Sequence, residues 1–302
     1  MAHRFLPHTD LEVSAISLGT MTFGTPVAEP EAIRIVHWAL DHGINLIDTA
    51  NMYEGYARHL GSAGGVAESI LSKALRGRRD QAILATKVGM CVGEAPEDEG
   101  TSPAAIHKHL ELSLRRLGTD VIDLYYLHKP DPDTPLPEIL GALDRVIQAG
   151  KVRYYGVSNY SALQLRDLLA AADADGLPRP VLCQPPLSLL KQEALSDVLP
   201  LCEREEIAVS PYQALQSGLL TGKYRRDAPL PEHSRKAEQE GWVWELTDAL
   251  FDRLDQIEAD AREADLSMTQ YAIRWVLSQR AVVTTIVGVK RSEQLEEVLA
   301  AL

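Results

Sequence analysis

Residues 82–127 begin with the apolar run AILAT (residues 82–86), continue with the amphipathic stretch SPAAIHKHLELSLRRL (residues 102–117) and end with a second apolar run, VIDLYYL (residues 121–127). Short, almost continuously apolar runs are typical of strands that are buried on both faces of a parallel sheet. The stretch between them carries helix signals, because Ser102 and Pro103 suit the cap and first helical position and Gly118 suits the end. This segment therefore predicts a strand, a helix and a second strand.

The same alternation extends through the whole chain. Apolar runs lie at residues 16–18, 44–47, 82–86, 121–127, 152–157, 181–183, 208–209 and 285–287. Helical patterns between them lie at residues 29–41, 66–75, 102–117, 136–149, 161–174 and 268–279. Eight buried strands with intervening helices predict an α/β fold, a (β/α)8 TIM barrel, with residues 1–302 as a single domain. A doubly wound sheet is the rival architecture, but the even repeats and the lack of a G-x-G-x-x-G motif after the first strand disfavour it.

Two segments stand outside this repeat. Residues 4–6 and 12–14 flank a turn, and we expect them to form an N-terminal β-hairpin that caps the bottom of the barrel. Residues 225–241 are polar and contain proline, and they follow the seventh strand. An insertion after a barrel strand belongs to the active-site face.

Composition limits the classes of function. Of the 302 residues, 45% are hydrophobic and 24% charged, and the formal net charge is -13. Such a surface repels phosphate backbones and anionic lipids, so we expect neither nucleic-acid nor membrane partners. The three cysteines show no C-x-x-C spacing, which favours a reducing compartment. Without a signal-peptide core or a long apolar run, the expected location is the cytoplasm, and the oligomeric state stays open.

Polar side chains end three consecutive predicted strands. Asp48 ends the second, with Tyr53 in the loop that follows, Lys87 ends the third and His128 the fourth. Because the carboxyl ends of barrel strands share one face, these side chains should meet there. A phenol beside a buried ammonium should have a lowered pKa and suits proton donation to a carbonyl oxygen, with the carboxylate holding the ammonium and the imidazole orienting the substrate. None of these groups is a hydride source, so a redox cofactor is required, and no metal site is predicted.

Around these residues the sequence resembles the aldo-keto reductase family over nearly its whole length. The segments that carry the resemblance are LGTMTFG (18–24), IDTANMY (47–53), ATK (85–87), LHKPD (127–131), GKVRYYGVSNY (150–160) and SGLLTGKY (217–224). The resemblance implies reduction of a small aldehyde or ketone by NADPH, with Tyr53 as the general acid, tuned by Lys87 and Asp48, and with His128 orienting the carbonyl.

The resemblance also implies a set of cofactor contacts. Three side chains would hold the nicotinamide carboxamide, an aromatic ring would stack on the nicotinamide, residues 213–219 would wrap the pyrophosphate, and two cations would grip the 2′-phosphate and favour NADP(H) over NAD(H). In chain order the full set is Ser158, Asn159, Gln184, Tyr212, Gln213, Leu215, Ser217, Gly218, Lys223, Gly288, Lys290, Arg291, Gln294 and Glu297.

The sequence departs from the family pattern at the rim of the site. Val298 stands where members often have Asn, Leu187 stands where an aromatic is common, and residues 58–65, from Arg58 to Gly65, form an insertion that we expect to be a flexible surface loop. The candidate substrate pocket comprises Met21, Phe23, Met52 and Met90, together with one of Trp242 and Trp244.

Two other functions stay open on the sequence alone. One is a cofactor-sensing regulatory subunit resembling the channel-associated β-subunits, with incidental turnover, although the acidic chain without an N-terminal regulatory extension disfavours it. The other is a Schiff-base lyase with Lys87 as nucleophile, which would need a neutral lysine that Asp48 should prevent.

Overall fold

The computed structural model describes residues 3–302. The strands are β1 (His3–Phe5), β2 (Glu12–Ser14), β3 (Ile16–Gly19), β4 (Leu46–Asp48), β5 (Ile83–Val88), β6 (Ile122–Leu127), β7 (Val152–Ser158), β8 (Leu182–Gln184), β9 (Ala208–Val209) and β10 (Thr285–Gly288). The helices are α1 (Glu29–Asp41), α2 (Val66–Ala74), α3 (Pro103–Leu117), α4 (Leu136–Gln148), α5 (Ala162–Asp175), α6 (Val198–Arg204), α7 (Arg235–Glu238), α8 (Asp248–Glu263), α9 (Met268–Leu277) and α10 (Ser292–Leu299).

Eight parallel strands form one sheet, in the order β10-β3-β4-β5-β6-β7-β8-β9. A parallel bridge between Val209 and Val282 joins its two edges, and Ile286 N donates to Pro211 O at 2.9 Å. The sheet therefore closes on itself, with the helices alternating with its strands, and the predicted (β/α)8 barrel is confirmed.

Alternate strand residues face two separate cores. Ile47, Leu84 and Tyr125 pack outward against the surrounding helices, whereas their neighbours Leu46 and Ala85 point into the barrel. Strands covered on both faces must be apolar at nearly every position, which explains why their sequences lack a polar and apolar alternation.

The N-terminal hairpin fills the barrel from below, as expected. β1 and β2 pair antiparallel, and Leu6, Leu11 and Val13 join the interior core. Arg153, at the start of β7, donates to the Asp10 carboxylate at 2.7 Å and to Asp123 Oδ1 at 2.7 Å. This ionic contact holds the hairpin turn against the amino ends of the strands.

The strands extend further toward their carboxyl ends than the apolar runs predict. Asp48, Lys87, Ser158 and Gln184 all lie on the sheet ladder, opposite residues of neighbouring strands. A strand predicted from its apolar residues ends before the observed strand does, because polar side chains occupy the last strand positions. The barrel therefore presents these groups from rigid backbone rather than from loops.

Helix ends follow the predicted capping chemistry. Ser102 Oγ accepts from Ala105 N at 3.2 Å at the start of α3, and Gly118 ends that helix in the left-handed conformation. Among residues 3–302, no helix is long and apolar enough to cross a membrane, and no group of three or more His, Cys, Asp or Glu side chains could hold a metal ion.

Candidate active site

A buried lysine connects the carboxylate and the phenol at the carboxyl end of the barrel. Lys87 Nζ lies 2.5 Å from Asp48 Oδ1, donates to Thr49 O at 2.9 Å, and lies 3.2 Å from Tyr53 Oη. The Lys87 side chain has no exposed surface, and that of Asp48 is 5% exposed. Three acceptors thus fix the ammonium, and one of them is the phenol predicted to give up a proton.

His128 closes this group on the side of β6. Its ring meets that of Tyr53 edge to face, with the centroids 6.0 Å apart. Burial, Lys87 and Lys129 together bring the pKa of His128 well below its ordinary value. The imidazole is therefore neutral at physiological pH and can donate one N–H to a substrate oxygen.

The ionisation of Tyr53 differs from the sequence prediction. Burial raises the pKa of Tyr53 more strongly than the Lys87 charge lowers it, so the net direction is upward, and the expectation of a lowered pKa is wrong for this state. Burial lowers the pKa of Lys87, but Asp48 and Tyr53 together raise it by more. The net pKa is therefore raised, and the amine stays charged. A charged amine is not a nucleophile, which disfavours the Schiff-base alternative.

A second hydrogen-bonded group lies beside the first, at the ends of β7 and β8. Tyr212 Oη donates to Asn159 Oδ1 at 2.7 Å, and Asn159 Nδ2 donates to His128 O at 2.8 Å. Gln184 Nε2 donates to Asp48 Oδ2 at 2.9 Å. Two residues predicted to hold the nicotinamide, Asn159 and Gln184, are therefore hydrogen-bonded to two predicted for proton transfer, His128 and Asp48. The sequence did not indicate this connection.

The segment predicted to wrap the pyrophosphate has an unusual backbone. Gln213, Gln216, Ser217 and Gly218 all have positive φ values. Gly218 has a φ of +90°, and a Cβ there would lie 2.6 Å from Lys223 Nζ, so a side chain would be strained and would displace the ammonium. The Gln216 and Gly218 N–H groups donate within this turn, to Gln213 O at 2.7 Å and Leu215 O at 2.8 Å, so an anion would bind to the other N–H groups of the segment.

Lys223 supplies a cation to this concave segment. Burial lowers its pKa, and so do the nearby charges of Lys290 and Arg235. Within residues 3–302 no carboxylate lies within 4.0 Å of its Nζ atom, so the charge has no direct counter-ion there. The segment and its lysine fit a phosphate group.

The residues predicted for the adenosine end lie at the start of α10. Gln294 Oε1 accepts from the backbone N–H groups of Lys290 and Arg291, at 2.8 and 3.2 Å. The Arg291 side chain is exposed, as is Glu297, whose carboxylate accepts from Ser267 Oγ at 3.0 Å. Two others of the predicted set, Gly288 and Leu215, lie at the end of β10 and in the segment after β9.

The whole barrel matches one family model. The model described as the aldo/keto reductase family matches residues 15–302. The chain belongs to this family. It is 32% identical to a probable voltage-gated potassium channel subunit beta from Arabidopsis thaliana, over 100% of this chain and 91% of that protein. It is 34% identical to the aldo-keto reductase YhdN of Bacillus subtilis, over 98% and 87%.

A solved structure agrees with this assignment. The glycerol dehydrogenase from Gluconobacter oxydans superposes with a TM-score of 0.81 at 32% identity, covering 98% of this chain and 88% of that one. Aldo/keto reductases are nicotinamide-dependent carbonyl oxidoreductases, and the predicted family is therefore confirmed.

In this aldo/keto reductase the insertion after β4 has internal support. Arg58 donates to Ser62 O at 2.9 Å and to the carbonyl of Cys91, in the loop after β5. Arg116 of α3 donates to Ala63 O at 3.1 Å and lies directly against Gly65. Two partly buried arginine side chains thus hold residues 58–65, which lie at the surface as expected, with Leu60 86% exposed.

The prediction that Phe23 lines the substrate pocket differs from the structure of this reductase. Phe23 has no exposed surface and packs in the core between strands and helices, so it supports the mouth from behind and cannot line it. Met21, Met52 and Met90 are partly exposed near the strand ends. They can form the wall that the sequence predicted.

The two tryptophans of the long insertion lie in different surroundings. Trp242 packs edge to face on Tyr56, with centroids 5.3 Å apart, beside the insertion after β4. Trp244 instead borders an open hollow of about 470 Å³ with Leu189 and Arg253, and none of the four catalytic candidates lines it. Trp242 is therefore the better placed of the two for a role at the mouth.

Proposed function

We propose that this protein reduces the carbonyl group of a small aldehyde or ketone with NADPH, using Tyr53 as the general acid. The observation that carries the proposal is the contact of Lys87 Nζ with both Tyr53 Oη, at 3.2 Å, and Asp48 Oδ1, at 2.5 Å. Bound nicotinamide supplies a hydride to the carbonyl carbon, and the oxygen then needs a proton.

Tyr53 is protonated before the reaction because its pKa is raised. As negative charge develops on the carbonyl oxygen, the phenol transfers its proton to that oxygen and becomes a phenolate. Lys87 stabilises the phenolate because the ammonium is already fixed beside it, so little reorganisation is needed. Asp48 keeps the ammonium charged and oriented.

His128 orients the substrate in this proposal. A neutral imidazole can donate a hydrogen bond to the carbonyl oxygen without competing with Tyr53 as an acid, and the lowered pKa of His128 keeps it neutral. The edge-to-face contact places the imidazole beside the Tyr53 ring.

The assignment of NADP(H) rests on the cations near β10. The 2′-phosphate would lie between Lys290 and Arg291, and the pyrophosphate would lie on residues 213–219 with Lys223. Ser158, Asn159 and Gln184 would hold the carboxamide, and Tyr212 would stack on the ring. The glycine space beside Lys223 and the lack of a direct counter-ion for that lysine support this fit.

Replacing Tyr53 by Phe tests the proton-donor role. We expect Tyr53→Phe to lower kcat/KM for a simple aldehyde by more than about a hundredfold, because general-acid catalysis contributes about that much or more. NADPH affinity, measured by quenching of tryptophan fluorescence, should stay near that of the unaltered protein. If the variant kept more than about a tenth of kcat/KM, less than ~1.4 kcal/mol of transition-state stabilisation would have been lost, and Tyr53 would not be the acid.

A regulatory role is the second candidate, favoured by the 32% identity to a probable potassium channel subunit beta. The two candidates differ in turnover. Steady-state NADPH consumption with a panel of aldehydes, ketones and keto-sugars would show kcat on the order of 1 per second or more for an enzyme. Tight NADPH binding with turnover that stays orders of magnitude lower on every substrate would favour the regulatory role.

A further inference from the structure

An internal carboxylate pairs with the lysine that the proposed 2′-phosphate site needs. Lys290 Nζ forms an ion pair with Glu238 Oε2 and donates to His233 O at 2.7 Å. The same ammonium lies 5.5 Å from the centroid of the Tyr56 ring. Two of these contacts hold Lys290 against the segment between β9 and α8, and the third holds it against the segment between β4 and α2.

The segment that carries Glu238 is held at both ends. We name residues 234–242 the strap. Ser234 caps its short helix by accepting from Ala237 N at 3.3 Å, and Arg235 Nε lies 3.3 Å from Tyr56 Oη. Trp242 packs edge to face against the same Tyr56 ring, with the centroids 5.3 Å apart. The strap thus fixes the Glu238 carboxylate beside Lys290.

The charges near the strap are unequal in number. Lys223, Arg235 and Lys290 belong to one positive region, since the charges of Lys290 and Arg235 lower the pKa of Lys223 and the charge of Glu238 raises it. Within residues 3–302, Glu238 is the carboxylate ion-paired with this group, and His233 Nδ1 lies 3.7 Å from its other oxygen. A phosphate arriving at Lys290 would therefore meet one negative charge already bound there.

We propose that Glu238 competes internally with the 2′-phosphate for Lys290, and thereby sets how strongly the protein prefers NADP(H) over NAD(H). This inference rests on the proposed function. NAD(H) lacks the 2′-phosphate, so its binding leaves the Lys290–Glu238 pair intact. NADP(H) must displace Glu238 or accept its repulsion, so the carboxylate weakens NADP(H) binding more than NAD(H) binding, which Glu238 affects only through its smaller influence on Lys223.

The size of the effect follows from exposure. The Lys290 and Glu238 side chains are 25% and 24% exposed, so solvent partly screens their interaction. Partly screened pairs contribute on the order of 1 kcal/mol, which corresponds to roughly a fivefold change in affinity. The preference should therefore shift measurably without being created or abolished.

The test compares Glu238→Gln with Glu240→Gln, an exposed carboxylate of the same strap that has no ion pair within residues 3–302. Dissociation constants for NADPH, NADH and 2′-AMP are measured with each full-length protein by calorimetry. We expect Glu238→Gln to tighten NADPH and 2′-AMP by roughly three- to tenfold and to change NADH by less than about twofold. Glu240→Gln should change none of the three.

Making the same substitution in a Lys290→Met protein tests whether Glu238 acts through Lys290. In a Lys290→Met protein, Glu238→Gln should no longer tighten NADPH or 2′-AMP binding, because the ammonium for which the carboxylate and the phosphate compete is absent. Persistence of the gain would overturn the proposed competition for Lys290. Weaker NADPH binding in Glu238→Gln, an unchanged ratio of the two affinities, or an equal change for NADPH and NADH would show that Glu238 only supports the strap.

Failure of the proposed function gives a different result. If the unaltered protein bound neither NADPH nor NADH, the cofactor assignment itself would fall. If it bound both, and Glu238→Gln left their ratio unchanged, the proposed function would stand and only the competition would be refuted.

Discussion

Two lysine–carboxylate pairs lie on the same face of this barrel, and they differ most in exposure. Lys87 and Asp48 are 0% and 5% exposed, whereas Lys290 and Glu238 are 25% and 24% exposed. The first pair lies on adjacent strands, and the second joins the strap to the end of the barrel. The same chemistry of attraction thus has two different consequences.

The difference lies in what can replace each partner. Lys87 has further acceptors in Thr49 O and Tyr53, and Asp48 also accepts from Gln184, so neither charge is exposed to an incoming ligand. Breaking such a pair leaves an uncompensated buried charge. The Lys290 side chain is partly exposed to solvent, and a ligand anion can take the place of Glu238. A permanent pair suits catalysis, and an exchangeable pair suits selective binding.

Breaking the buried pair should have the largest effect. In Lys87→Met we expect kcat/KM to fall by about a thousandfold, because the phenolate of Tyr53 loses its stabilising charge. The free energy of unfolding should also fall by about 3 kcal/mol, since Asp48 is left buried and unpaired. Steady-state kinetics and urea denaturation measure the two losses.

The matched control for this variant is Lys151→Met, which breaks a surface pair with Glu111. It should cost less than about 1 kcal/mol and leave kcat/KM unchanged. A Lys87→Met protein that kept most of its activity would contradict the role given to the buried pair.

Removing the exposed cations should have an intermediate effect that is confined to one cofactor. In the double variant Lys290→Ala, Arg291→Ala we expect NADPH to bind about a hundredfold more weakly, because two charge-assisted contacts to a phosphate are lost. NADH should change by less than about threefold. Calorimetric titration of both nucleotides measures this, and equal weakening would remove the 2′-phosphate assignment.

The pH dependence of stability sharpens the comparison on the buried side. The pKa of His128 lies well below its ordinary value when folded, so the unfolded chain takes up a proton below about pH 6.5 while the folded protein does not. The stability contribution is therefore complete above that pH and is lost as the pH falls toward the folded value.

We expect the unaltered protein to lose about 1 kcal/mol more than His128→Asn between pH 7 and pH 5.5. Urea denaturation at the two pH values gives this difference. Over the same range kcat/KM should show no inflection from His128. An inflection near pH 6.5 would mean that the imidazole is protonated in the working enzyme.

The smallest effect is expected at the opposite end of the barrel. Arg153→Met removes the contacts to Asp10 and Asp123 below the strands, and we expect a loss of about 1 kcal/mol because Arg153 is partly exposed and the buried Asp123 keeps its ion pair with Arg79. Kinetic constants should be unchanged, since the site lies at the carboxyl ends. A loss of activity would show that the hairpin and the site are coupled.

The barrel and the grouping of the candidate catalytic residues at one end of it could be predicted from the sequence because they follow simple periodic rules. Buried parallel strands are apolar throughout, so the polar residues Asp48, Lys87 and His128 stand out at their ends. The direction of the Tyr53 pKa could not be predicted, because it depends on how desolvation in three dimensions compares with the Lys87 charge. Phe23 was misplaced because a position after a strand does not reveal which way the side chain turns.

The structure of the strap and its ion pair with Lys290 could not be predicted from the sequence, for a different reason. Residues 225–241 have no periodicity, and Glu238 is one acidic residue among many in an acidic chain. The ion pair with Lys290 joins positions that are far apart in sequence, which no local pattern reports. Ser234 caps the short helix α7 in the structure, and it is a residue type that commonly begins helices, but the sequence prediction did not use it.

The pairing of the first barrel strand with the last has a consequence for synthesis. Ile16 of β3 lies opposite Thr285 of β10, so a chain emerging from the ribosome cannot close its barrel until β10 has been made. The residues proposed for proton transfer are all translated by His128, but Lys290 comes directly after β10. A product that stopped before β10 would carry the proposed proton-transfer groups on an open sheet without the proposed 2′-phosphate site, and nucleotide binding would therefore report on synthesis past β10.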